Sequence, residues 1–321
     1  MALRIIQILF ISLMVIFLIF QISDFIKNNS HQGVKKNGMF QGIGFLVNFF
    51  DALGIGSFAP SLALFHITGT VDDRKIPGTL NVGVTIPVML EGLLFMSSVK
   101  VDMMTLISVL VTSFIGAMIG VRLNEKVNVR AIQKVMGIGL LVAGALLFGS
   151  IMGILPSGGT ATGVYGLKLV IIDGIAFLLG LLLPLGVGHY APMMVTVYLC
   201  GMSPISAFPI MMTMGGLVCF QTGLRFLRNG LFSREAAFGQ TVGGAIGVLI
   251  AVYLVKSLPL SVLRWLVLCV VIYSAVTMIH SGFRKNAVTG RGDARGGSTE
   301  QDEMKIENDP ETLIQGGEKW Q

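Results

Sequence analysis

The sequence predicts an all-α integral membrane protein: two inverted repeats of four apolar segments, with one extra transmembrane helix ahead of them. Three observations predict it. Charged residues make up only 12% of the chain and the mean hydropathy is +0.80, whereas soluble domains hold about 25% charged residues. Apolar segments run over 4–22, 40–68, 79–97, 103–121, 132–150, 169–200, 205–224, 236–255 and 260–281. That is more apolar surface than one soluble core can hide, so lipid must solvate most of it. Third, Leu53-Gly54-Ile55-Gly56-Ser57-Phe58-Ala59-Pro60 returns 132 residues later as Leu185-Gly186-Val187-Gly188-His189-Tyr190-Ala191-Pro192.

The register of that repeat holds without a gap. Gly69 meets Gly201, Pro77 meets Pro209 and Gly83 meets Gly215, so that eight of the 31 positions from Leu53 to Gly83 are identical, against roughly two or three expected by chance. After the first segment the apolar stretches form two sets of four, residues 40–150 and 168–282, each opening on its glycine-broken member. Residues 1–30 read as a retained transmembrane helix. The apolar core of this segment is long for a signal peptide and no small-x-small cleavage site follows it. Residues 283–321, rich in Gly, Ser and charge, read as a disordered cytoplasmic tail.

Gly116-Ala117-Met118-Ile119-Gly120 and Gly244-Ala245-Ile246-Gly247 also echo each other, and small residues at this spacing read as helix-packing ridges. The cysteines Cys200, Cys219 and Cys269 lie in apolar segments without CxxC spacing, so they read as packing residues.

Charge sets the expected topology. Residues 40–53 and 56–68 are each about 20 Å as helix, against a hydrocarbon core of about 30 Å. If both broken segments are hairpins that re-enter the membrane, the inner loops hold Lys27, Lys35, Lys36, Arg74, Lys75, Arg122, Lys126, Arg130, Arg225, Arg228 and Arg234. Arg284 and Lys285 follow on the same side, and only Arg4, Lys100, Lys168 and Lys256 remain outside. Each set then makes one hairpin and three crossings. An odd number of crossings inverts the second set relative to the first and brings the hairpin tips together, the geometry alternating access requires. The basic pI of about 9.3 follows from this loop bias, so no nucleic-acid partner is expected.

The two breaks are therefore the expected substrate site. Glycines let a ligand reach the main chain, and half-helix N-termini favour anions. Gly54, Gly56, Gly186 and Gly188 form the breaks, and Ser57 and His189 follow them as repeat equivalents. A hydroxyl and an imidazole facing one another suit an oxyanion with several acceptor oxygens. A helix cap is the competing role for Ser57, and a hydrogen-bonded core position for His189. Asn81 and Thr213, equivalent by the same offset, are also candidate substrate contacts, with interhelical hydrogen bonding as the alternative. Asp51 and Glu91 are acids in apolar sequence that could relay a proton, but their repeat equivalents are Leu183 and Gly223.

No HExxH, GxSxG, Walker A or CxxC motif occurs, which points away from an enzyme, a metal site or a resident cofactor. The chain resembles the sulfite exporter TauE/SafE family over roughly 40–282. The likeness rests on Leu53-Gly54-Ile55-Gly56, on Gly78-Thr79-Leu80-Asn81 and on the run from Gly201 to Pro209. Ser57-Phe58 and His189-Tyr190 stand where family members often carry more glycines. The resemblance implies a permease of a bacterial-type inner membrane that moves sulfite, a sulfonate or a related small anion. An anion channel is the alternative. The expected partners are the small anionic substrate and the lipid bilayer, and the sequence leaves room for a coupling proton or sodium ion and for a homodimer.

The topology is directly testable. With the three native cysteines replaced, single cysteines at Ser157 and Asn229 should label from opposite faces of intact cells, Ser157 from outside. Labelling of both from one side would contradict the inverted arrangement.

Overall fold

A computed structural model describes residues 2–28, 34–72, 74–120, 129–152, 159–185 and 188–283. Residues 1–282 form one compact unit and 283–321 a second. Of the second only Phe283 is described, so the expected disordered tail lies outside the described residues. Within those residues all named elements are helical: α1 (Ala2–Asn28), α2 (Val34–Ala52), α3 (Phe58–Thr68), α4 (Ile76–Ser98), α5 (Met103–Gly120), α6 (Val129–Ile151), α7 (Leu167–Leu182), α8 (Tyr190–Leu199), α9 (Ala207–Asn229), α10 (Arg234–Ser257) and α11 (Leu260–Phe283). Six stretches are long and apolar enough to cross a membrane, in α1, α4, α5, α9, α10 and α11. This is an all-α, multi-pass membrane protein.

The order of elements is the same in both halves. A broken pair, α2–α3 or α7–α8, precedes three long helices. The short members, 11 residues in α3 and 10 in α8, extend only about 15–17 Å and cannot cross alone. α2 differs from the expected 40–53. It begins at Val34 and runs 19 residues, about 28 Å. Lys35, Lys36 and Asn37 lower the hydropathy of its first turn without interrupting the helix, which is why the apolar signal started late.

Packing pairs the halves crosswise: α2 lies on α10, α7 on α5, and α4 on α9. Without a hydrophobic drive between helices in lipid, association depends on close van der Waals approach. Glycines supply it. A methyl added at Gly44 would run into the Gln240 backbone, and methyls at Gly243 and Gly247 would run into the carbonyls of Gln41 and Phe45. Methyls at Gly116 and Gly120 would strike the Phe177 and Leu181 carbonyls of α7 in the same way. Both ridges expected from sequence are therefore helix-packing faces, each docked on the first helix of the opposite half.

α1 lies against α4, α9 and α10. Its buried stripe is Ile6, Phe10, Phe17 and Gln21, a helical spacing. The Gln21 amide donates to Thr241 Oγ1 (2.9 Å), and Arg234 pairs with Asp24 (2.7 Å). Between α5 and the linker 159–166, Asp102 accepts from the Thr105 backbone N–H (3.0 Å) and the Tyr165 hydroxyl (2.8 Å). Those bonds, the Thr105 backbone donor foremost, hold this half-buried carboxyl below its usual range.

Gly42 and Gly44 on α2 offer an internal control, since an added methyl at Gly42 meets nothing. Gly44→Leu should destabilise the folded protein by about 1–3 kcal/mol through overpacking, whereas Gly42→Leu should leave thermal unfolding in detergent unchanged. Equal melting of the two variants would contradict the packing described.

Candidate functional site

α2 ends in a turn that only glycine tolerates. The Leu53, Gly54 and Ile55 amides close back on the Phe50 and Asp51 carbonyls. The chain then passes through Gly54 at φ 95° and Gly56 at φ 93°, a region L side chains rarely adopt. α3 starts afresh at Phe58. Ser57 occupies the cap position but makes no side-chain cap bond. Its hydroxyl instead donates back to Asp51 Oδ2 at 3.1 Å, tying the two sides of the break together.

The second break opens on a short 3-10 turn at Leu183–Leu185, and α8 starts afresh at Tyr190. Gly186 lies outside the described residues. His189 takes the equivalent cap position and likewise makes no cap bond. Its Nε2 lies 3.1 Å from the Met211 carbonyl of α9. A carbonyl can only accept, so this contact assigns the proton to Nε2. Gly215, one turn along α9, makes room for the ring, since a methyl there would sit 2.7 Å from Nε2.

One bond joins the breaks directly. The Tyr190 hydroxyl donates to Asp51 Oδ2 at 3.3 Å, the same oxygen that Ser57 uses. Around this junction lies a cavity of about 130 Å³, room for several waters or a small polyatomic ion. Asp51, Gly56 and Ser57 line it from the first break, and Gly188, His189 and Tyr190 from the second. The α11 side contributes Tyr273, Ser274 and Thr277. The first turns of α3 and α8 both border the cavity, and each helix N-terminus adds about half a positive charge. Among the described residues no lysine or arginine lines it.

Behind Asp51, Glu91 of α4 is 0% exposed. Neither of its carboxylate oxygens has a hydrogen-bond partner among the described residues, nor does Asp51 Oδ1. The two acids are near enough for their charges to repel.

Of the residues expected from sequence, Gly56, Ser57, Gly188 and His189 line this cavity. Gly54 is buried beside it, facing Met194 and Met211. Asn81 and Thr213 do not line it. The Asn81 amide donates to the Pro77 carbonyl (2.9 Å) and its Oδ1 accepts from Thr222 of α9 (2.7 Å), while Thr213 bonds the Pro209 carbonyl of its own helix (2.5 Å). Tyr190 and the α11 face were not singled out from sequence. Tyr190 is equivalent to the apolar Phe58, so the repeat hid it. A signal for α11 existed: Tyr273, Thr277 and Ser281 recur every fourth residue in a largely apolar segment.

Residues 1–147 match the sulfite exporter TauE/SafE family model. No curated protein and no solved structure matches the chain. The matched stretch runs from α1 into α6, so it holds the first break with Asp51, Ser57 and Glu91, and it stops before the second. The match covers less than half of the chain; with six described helices long and apolar enough to cross a membrane, it fits a membrane protein.

His189 and Gly215 should behave as a coupled pair. Gly215→Ala should destabilise the protein in a wild-type background but much less where His189→Ala has removed the ring. Contacting residues of this kind couple by about 0.5–3 kcal/mol. A double-mutant cycle on thermal unfolding checks it, and strict additivity would contradict the contact.

Proposed function

We propose that this protein is a secondary transporter that moves a small sulfur-containing anion, sulfite or a sulfonate, by alternating access through the cavity between the two breaks. The observation that carries the reading is the convergence of both glycine breaks, and both short-helix N-termini, on one small cavity. The TauE/SafE match over the first half supports the substrate class. Gly56 and Gly188 leave the cavity open, the Ser57 and Tyr190 hydroxyls supply donors, and the α3 and α8 N-termini supply positive potential.

In this reading residues 40–150 and 168–282 are inverted repeats with the cavity at their interface, and movement of the α2–α10 pair against the α5–α7 pair exposes it to alternate sides. The shared order of elements and the crosswise pairing of α2 with α10 and α7 with α5 support it. A bacterial-type inner membrane, a coupling ion and a homodimer belong to the same proposal. A channel is the competing reading, and the two differ in kinetics. A carrier shows saturable counterflow, in which internal unlabelled anion drives uptake of labelled anion. A channel does not.

Counterflow of labelled sulfite in proteoliposomes tests the proposal. The wild type should saturate, and methanesulfonate should compete. Gly188→Leu places a side chain in the cavity without a left-handed backbone to strain, so counterflow should fall to the level of empty liposomes at normal membrane yield. Unimpaired counterflow in Gly188→Leu would remove the second break from the pathway.

A further inference from the structure

Asp51 presents a chemical problem that the anion-transport reading, on which this inference rests, does not solve by itself. An anion site holding a carboxylate, with a second buried carboxylate near it and no lining cation among the described residues, repels its own substrate. In the geometry seen, the Ser57 and Tyr190 hydroxyls both donate to Asp51 Oδ2, and the Nε2 proton of His189 is given to the Met211 carbonyl. The donors nearest the tips are thus spent on the protein itself.

We propose that Asp51 is the proton-binding site of this transporter, and that anion and proton load together. The proton arrives from water on the open side and bonds to Oδ1, the oxygen without a partner among the described residues. Neutralised, Asp51 holds the two hydroxyls more weakly, so that they turn their O–H groups to the charged anion, and the new carboxyl O–H is itself a donor. On the far side the proton returns to water, the hydroxyls turn back to Oδ2, and the anion is released. Both cargoes leave with their charges balanced, and no other bond is made or broken.

The surroundings favour this assignment. Among the described residues, the titratable groups that face Asp51 or share its cavity are Glu91 from α4, His189 and Tyr190 at the start of α8, Cys219 from α9 and Tyr273 from α11. None is a fixed cation. Buried ionisable groups in membrane interiors are costly and mark proton or ion pathways. Glu91, buried with both oxygens unpartnered, makes a lasting charge on Asp51 costlier still by like-charge repulsion.

The test uses the full chain in liposomes with methanesulfonate, which stays singly charged across the working pH range. Counterflow without a pH gradient comes first, and its absence with both methanesulfonate and sulfite would overturn the anion reading and this inference with it. Given counterflow, an internal pH dye should report proton entry with methanesulfonate entry in the wild type, and anion entry without proton entry overturns the coupling alone. Infrared difference spectra on adding methanesulfonate should then show a protonated-carboxyl stretch in the wild type, absent in Asp51→Asn and displaced in Asp51→Glu. A missing wild-type band, or one unmoved in both variants, overturns the assignment to Asp51.

Discussion

In a hydrocarbon interior a carboxylate must find donors within the protein or give up its charge, and at Asp51 the donors come from both halves of the chain. Ser57 reaches it from the far side of its own break, and Tyr190 reaches it from a break 139 residues away. This one oxygen is where the two glycine-broken segments are held against each other. The remaining site geometry follows from it. Tyr190 on Asp51 places His189 beside α9, and the ring fits only because residue 215 is a glycine.

The helices that carry the breaks are positioned by glycine as well, through sterics and not through backbone freedom. α2 and α7 lie so close to α10 and α5 that backbone carbonyls occupy the space a methyl would need. Lipid does not push helices together as water does, so stability is drawn from such close approach. Rigid seats of this kind suit a carrier, because the break can then move as part of a packed unit and not as a loose loop.

Much of this was legible before any coordinates. Low charge and long apolar runs gave the class, and the offset between Leu53 and Leu185 located both breaks and the cap positions that face the cavity. Periodicity of apolar residues could not show α2 starting at Val34, because lysines at a helix start look like a loop to a hydropathy count. The repeat misled where the site is asymmetric. Asp51 and Tyr190 each have an apolar equivalent, Leu183 and Phe58, so a search for matched polar pairs favoured Asn81 and Thr213, whose hydrogen bonds are spent within and between α4 and α9. A site at a pseudo-symmetry axis need not be symmetric, and only the fold shows which unmatched residues reach it.

The central claim is that one anion binds where the two breaks meet. Selenite, the heavier analogue of sulfite, makes it visible through anomalous X-ray scattering from crystals of the protein. The account predicts a single strong selenium peak within hydrogen-bond distance of Ser57 and Tyr190, weakened in Gly188→Leu. A saturating peak elsewhere, such as the groove edged by Arg225 and Arg228, with none between the breaks, would contradict it.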